Sequence, residues 1–196
     1  MRNLRGRCLS LLLPVVLALA LALPGPPAAV AADPEPPRVP VGAFGWPLPG
    51  AATDAAPVRG GAPGTVTRLF APPPHPYGRG HRGADLAGRA GVTVLAASDG
   101  TVVFAGRLAT RGVVSVDHAD GLRTTYEPVT PLVPAGVPVR RGEPLGTLEP
   151  GHGACPVAAC LHWGLRRPGP RGGVEYLDPL LLLGLGEVRL LPLAGD

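Results

Sequence analysis

From Gly64 onward the chain is a succession of short β-type runs, each stopped by a glycine turn, and this leaves little choice of fold. The runs are Thr65–Phe70, Val92–Ala97, Thr101–Ala105, Val113–Val116, Leu122–Tyr126, Val139–Leu148 and Leu161–Leu165. They are rich in β-branched, aromatic and other apolar residues, which suit a pleated, half-buried surface. Asp99-Gly100 reads as a hairpin turn, and Ala119-Asp120-Gly121 joins two later runs. No segment sustains an apolar stripe of helical period over ten residues, apart from the short stretch Leu180–Leu185. Many short strands with frequent turns predict an all-β sandwich or barrel. Two segments are loosely alike, Gly91 to Val102 and Gly136 to Glu143, as in β domains with internal pseudo-symmetry.

Composition matters chiefly for where this domain begins. The chain holds 29 Gly and 27 Pro in 196 residues, close to a low-complexity level. The prolines are segregated, however, and residues 81–127 contain none. Residues 33–63, rich in Pro, Ala and Gly, read as a spacer, within which Phe44–Leu48 could pack on the domain edge. Residues 64–186 read as the folded domain and 187–196 as a tail.

Residues 1–32 have the three parts of a secretory signal: Arg2, Arg5 and Arg7, the apolar stretch Leu9–Leu23, and small residues at 29–32. The apolar stretch is too short for a spanning helix of roughly 20 residues, although an uncleaved anchor is the alternative. The expected location is therefore secreted or in the cell envelope, with no membrane attachment after cleavage. The formal net charge of +4 rests largely on those three arginines. Without them 15 Arg face 14 acidic residues, which is no footprint for a nucleic acid partner.

Export also changes how the cysteines read. Cys8 belongs to the leader, leaving Cys155 and Cys160 as an even pair. In an oxidising compartment their first reading is a disulfide closing a short loop. The alternatives are a thiolate metal ligand at Cys160 or a free thiol.

The chemistry sits in His81, Asp85 and His162. His81 and Asp85 are four residues apart, and Gly78, Gly80 and Gly83 argue against a helix there. On an extended strand, positions i and i+4 share a face because the side-chain period is two. Alternation in Leu161-His162-Trp163-Gly164-Leu165 aims His162 and Gly164 to one side. Two imidazoles and one carboxylate form a three-ligand zinc set with a fourth position open, as catalytic sites have. A lone strand His is more often a hydrogen-bonded surface or core residue than a ligand, and His75, His118 and His152 read first as solvated or turn histidines. Trp163 reads first as core packing and second as a substrate platform; Tyr126 is the other aromatic candidate for a substrate groove.

Gly80–Ala87, reading GHRGADLA, resembles the first metal motif of the LytM/lysostaphin-type zinc endopeptidases. VLAASDGTVV (94–103), VSVDHADGLRTTY (114–126) and VPVRRGEPLGTL (137–148) resemble segments that follow it there, in the same order. Cys160-Leu161-His162 stands at the place of the family's His-x-His motif. The resemblance spans about Trp46 to Leu183. It implies Zn2+ held by His81, Asp85 and His162, and an antiparallel folded-over sheet (a barrel-sandwich hybrid, the duplicated hybrid motif) whose groove holds the ion. It further implies hydrolysis of peptide bonds in the peptide stems or cross-links of bacterial peptidoglycan.

Two departures bear on catalysis. The family's first His of His-x-His, a proton-handling group, is replaced by Cys160. Its Tyr-x-His hairpin end is here Tyr126-Glu127-Pro128, so Pro128 stands where an imidazole is expected. His152, in the Gly151-His152-Gly153 loop leading toward Cys155, is the first candidate substitute, ahead of Glu127 and His118. The alternative is a catalytically degenerate domain that binds the wall or regulates a partner hydrolase.

Overall fold

The computed structural model describes residues 43–49, 65–75, 77–119, 121–151, 153, 155–169 and 172–185. All of them lie in the compact unit Pro36–Asp196. The signal at 1–32, most of the spacer, the tail and His152 lie outside the described residues. The strands are β1 (Val66–Arg68), β2 (Gly83–Gly88), β3 (Thr93–Leu95), β4 (Gly100–Leu108), β5 (Arg111–Asp117), β6 (Arg123–Glu127), β7 (Val129–Pro131), β8 (Pro138–Val139), β9 (Pro144–Leu148), β10 (Ala159–Pro168) and β11 (Val174–Leu177). A 3₁₀ turn, Pro179–Leu183, follows, capped by the Asp178 side chain and closed at Gly184 in the left-handed region. It is what the apolar Leu180–Leu185 stretch becomes.

The larger sheet runs β1-β2-β10-β6-β5-β4-β8, with β11 pairing the far half of β10, and the smaller runs β3-β9-β7. Every pairing is antiparallel, so the fold is the all-β, folded-over architecture expected. β5 and β6, the runs on either side of Ala119-Asp120-Gly121, do pair as antiparallel neighbours. Asp99-Gly100 does not make a hairpin: β3 pairs β9, whereas β4 pairs β5 and β8. The turn instead hands the chain from one sheet to the other. Gly100 is required there by close approach, because a Cβ would lie 2.4 Å from the Asp117 carbonyl oxygen. The two look-alike segments meet: the amide of Gly136 donates to Val102, and that of Gly142 to Ala96.

The core forms between the sheets from one parity of each strand. Val114 and Val116 of β5, Tyr126 of β6, and Leu161, Trp163 and Leu165 of β10 point inward with at most 1% exposure. They meet Val94, Leu145 and Leu148 of the smaller sheet. Burying each such side chain is worth roughly 1.5–3 kcal/mol. The stretch 43–49, which falls within the expected spacer, joins this core: Phe44 and Leu48 are buried. Its backbone is pinned by hydrogen bonds from Gly45 N to Ala97 O and from Leu95 N to Pro47 O. Residues that look like linker by composition are thus tied to the domain.

Candidate metal centre

The opposite parity of the same strands builds an open face. On β10 it carries Cys160, His162, Gly164 and Arg166; on β2, Gly83, Asp85 and Ala87; on β6, Arg123, Thr125 and Glu127. In the antiparallel ladder His162 stands opposite Asp85 on one side and opposite Glu127 on the other. His81 precedes β2 by two residues and is held by a bridge to Ala71, with backbone hydrogen bonds in both directions. His81, Gly83 and Asp85 therefore share one face.

Three ligand atoms converge. His81 Nε2 lies 2.9 Å from Asp85 Oδ1 and 3.1 Å from His162 Nδ1, and the third edge, His162 Nδ1 to Asp85 Oδ1, is 2.8 Å. Tetrahedral zinc with bonds of about 2.0–2.1 Å spaces its ligands about 3.3 Å apart, so the triangle is within about half an ångström of that requirement. Among the described residues these three form the group able to hold a metal ion.

The hydrogen bonds behind the triangle make the same point. His81 Nδ1 lies 2.7 Å from the Leu69 carbonyl, an acceptor only, so Nδ1 carries the proton and donates. In the neutral ring Nε2 is then a bare lone pair facing a carboxylate oxygen. Either a second proton on His81 or a cation at the centre relieves that opposition. Asp85 is 1% exposed and His81 5%, and a buried carboxylate without a cation is costly. The chemistry of the donor set fits a divalent metal. His162, with its side chain 13% exposed, forms the rim through which the triangle meets solvent.

Gly83 has a role the sequence reading missed. A Cβ there would lie 2.4 Å from the Trp163 carbonyl oxygen and 2.7 Å from His162 Nε2. The His162 ring occupies the space that any larger residue would fill. The signal was available, since Gly83 lies midway between the candidate ligands His81 and Asp85 on one strand face.

The centre opens into a cavity of about 760 Å³. Its lining includes Arg68, Arg82, Arg111, Glu127, Pro128, Glu149, Gly151 and Gly153. Arg111 and Glu127 form an ion pair of 2.9 Å. The Glu127 carboxylate, first by hydrogen bond and then by charge, raises Arg111 above the ordinary guanidinium range. Arg111 is half exposed, so the pair contributes about 0–1 kcal/mol to stability. Its interest is its position beside His162.

Cys155 and Cys160 are joined in a disulfide, with Cα atoms 5.7 Å apart. The Cys160 sulfur is bonded to its partner and provides no thiolate to the triangle. Tyr126 and Trp163, the aromatic candidates for a substrate groove, are both fully buried, and Trp163 takes the core role that was its first reading. Parity is the reason: with His162 and Glu127 on the open face, their strand neighbours must face the core. The Tyr126 hydroxyl accepts from Ala97 N at 3.0 Å and lies 2.9 Å from Thr124 Oγ1. Burial raises its pKa, with the Thr124, Ala97 and Trp163 contacts opposing the shift. His118 does not enter the cavity either. It is buried, with Nδ1 2.7 Å from Asp99 O and Nε2 2.9 Å from Thr124 Oγ1. One donor order satisfies the whole line: Ala97 N–H to Tyr126, Tyr126 to Thr124, Thr124 to His118, and His118 to Asp99 O.

Residues 79–179, just over half of the chain, match the profile of Peptidase family M23. An uncharacterised protein of Mycobacterium tuberculosis and one of Mycobacterium bovis are each 48% identical over 153 residues, covering 78% of this chain. The chain spans 56% of the length of each of these relatives. The catalytic domain of the antimicrobial peptidase lysostaphin from Staphylococcus simulans shares the fold, with a TM-score of 0.50 and 23% identity over 61% of this chain and 92% of that one. Among the described residues no helix is long and apolar enough to cross a membrane.

Proposed function

Because this chain belongs to Peptidase family M23, we propose that it is an exported zinc metalloendopeptidase hydrolysing peptide bonds in the peptide stems or cross-links of bacterial peptidoglycan. One observation carries the reading. His81 Nε2, Asp85 Oδ1 and His162 Nδ1 lie within 3.1 Å of one another, and His81 and His162 line an open cavity.

His81, Asp85 and His162 hold the ion. Zinc, when bound, supplies Lewis acidity to activate water and polarise a carbonyl. The chain supplies the rest. Leu69 fixes the His81 tautomer, the β2–β10 ladder fixes Asp85 against His162, and the strand face accepts an extended peptide. Proton handling falls to His152, in the loop between Gly151 and Gly153, both of which line the cavity. Glu127 is the second candidate, at the rim beside His162. The leader at 1–32 directs export, and no nucleic acid partner is implied.

A catalytically weakened domain that binds the wall or regulates a hydrolase is the second reading. It is favoured by a specific observation: among the described residues lining the cavity, His81 and His162 are the imidazoles, and both belong to the triangle. Zymography on peptidoglycan separates the two. The enzymatic reading expects clearing that chelator abolishes and zinc restores, falling about 10²–10⁴-fold in a variant lacking the proton-handling group. Unchanged clearing in His152→Ala removes that residue from the mechanism. Zinc-loaded protein that clears nothing supports the binding role.

A further inference from the structure

The open face continues past the metal centre. Along β10, two and four residues beyond His162, stand Gly164 and Arg166. Gly164 leaves the floor low, since a Cβ there would lie 2.3 Å from Thr125 Oγ1. Arg166 follows in the row, one same-face position before the strand ends at Pro168. It stands opposite Arg123 on β6 and opposite Tyr176 on β11. Like charges directly opposite each other in a sheet are destabilising.

The neighbouring cations have contacts of their own. Arg123 is held by both carboxylate oxygens of Asp117, with Nη2 to Oδ2 at 2.7 Å. Arg82 lies over the Tyr176 ring, 5.6 Å from its centroid. Arg166 makes no ion pair with any described residue. It lines a second cavity of about 530 Å³ that shares Arg82, Arg111, Glu127 and His162 with the first. The far wall of this cavity is apolar: Val103, Phe104 and Leu108 are 38%, 38% and 56% exposed.

We propose that this arm of the groove is a carboxylate subsite, in which Arg166 anchors a carboxylate of an extended peptide. Phe104 and Leu108 cover the apolar parts of the same ligand. A guanidinium presents paired donors that match a carboxylate in a fork, which an amide cannot reproduce. The reach follows from strand geometry. Four residues of strand separate His162 from Arg166, about 13 Å at 3.2–3.4 Å per residue. A peptide lying along β10 advances at the same rate. Its carboxylate therefore sits about four residues from the bond over the metal centre. The proposal deepens the peptidase reading by naming the substrate class, a peptide bearing a carboxylate.

The test is fluorescence anisotropy on the zinc-loaded chain lacking residues 1–32, using dansyl-pentaalanine as the free acid and as the C-terminal amide. The free acid is expected to bind about tenfold tighter at low salt, an advantage that shrinks as salt rises. Arg166→Gln brings the two peptides to parity with an unfolding midpoint unchanged or slightly raised, since it removes a like charge opposite Arg123, and Arg166→Lys keeps part of the difference. Equal binding of acid and amide by the parent protein, or binding of neither, overturns the proposal. So does a preference that survives Arg166→Gln but vanishes on chelation, because the carboxylate then sits on the metal. A preference for the acid without clearing of peptidoglycan leaves the subsite standing and removes only the hydrolytic reading.

Discussion

Replacing Gly83 with alanine tests whether the β2–β10 ladder sets the metal centre. The new Cβ would lie 2.4 Å from the Trp163 carbonyl oxygen, 2.7 Å from His162 Nε2 and 2.9 Å from His162 Cε1. Ordinary contacts lie at about 3.5–4.0 Å, so the overlap is about 1 Å on two sides. The Trp163 carbonyl belongs to the backbone beneath a fully buried indole and yields little. The His162 ring stands at the rim and yields first, which carries Nδ1 away from Asp85 Oδ1. Overpacking of this kind costs about 1–3 kcal/mol. A ligand whose support is lost weakens metal binding about 10–100-fold. Gly106→Ala is the control, since its Cβ would meet only Phe104 Cζ at an ordinary 3.7 Å; glycine inside a strand costs roughly 0.5–1 kcal/mol against alanine, so that variant is neutral or slightly stabilised. The assay pairs urea unfolding of metal-free protein with zinc titration against a competing chelator. A Gly83→Ala protein with parental stability and parental zinc affinity would refute the reasoning.

Three further outcomes follow from the contacts described. Tyr126→Phe strands the Ala97 N–H and is expected to cost about 1–3 kcal/mol in denaturant titrations; because burial holds the folded tyrosine above its ordinary pKa, the unfolded chain loses its proton first, so parental stability falls as pH rises past about 10 and the variant lacks that part of the decline. Reducing the Cys155–Cys160 disulfide frees a loop with a sequence separation of 5, worth about 2 kcal/mol of unfolding free energy by loop entropy, while zinc affinity stays put; a sharp rise in affinity on reduction would mean that the thiolate enters the centre. Glu127→Gln breaks the pair with Arg111 and is expected to leave stability within about 1 kcal/mol; if Glu127 handles protons, peptidoglycan clearing falls about 10²-fold or more in the same protein, and unchanged clearing rules that out.

The triad was legible because strand parity is local information. His81, Gly83 and Asp85 must share a face, and so must His162 and Gly164, whatever the rest of the chain does. The same parity already opposed a groove role for Trp163 and Tyr126, each adjacent to a residue on the open face; aromatic character was the weaker signal. Sheet membership was not local. Asp99-Gly100 marks a turn in the chain, but hydrogen bonds from distant strands decide that β3 and β4 part company. Val139–Leu148 reads as one run, yet Gly142 at φ 83° bends it into β8 and β9, which lie in different sheets. Phe44–Leu48 read as packing on the domain edge, but Pro- and Ala-rich flanks concealed that Phe44 and Leu48 are buried in the core. Arg166 was unreadable for a similar reason: its significance lies in being opposite Arg123, forty-three positions earlier.

X-ray absorption at the zinc edge, on the purified chain lacking residues 1–32, tests the centre most directly. One zinc per chain is predicted, surrounded by two imidazole nitrogens and by oxygen at about 2.0–2.1 Å, with no sulfur shell. Loss of that signal in Asp85→Ala completes the prediction. A sulfur shell at about 2.3 Å, or a chain that takes up no zinc, would contradict it.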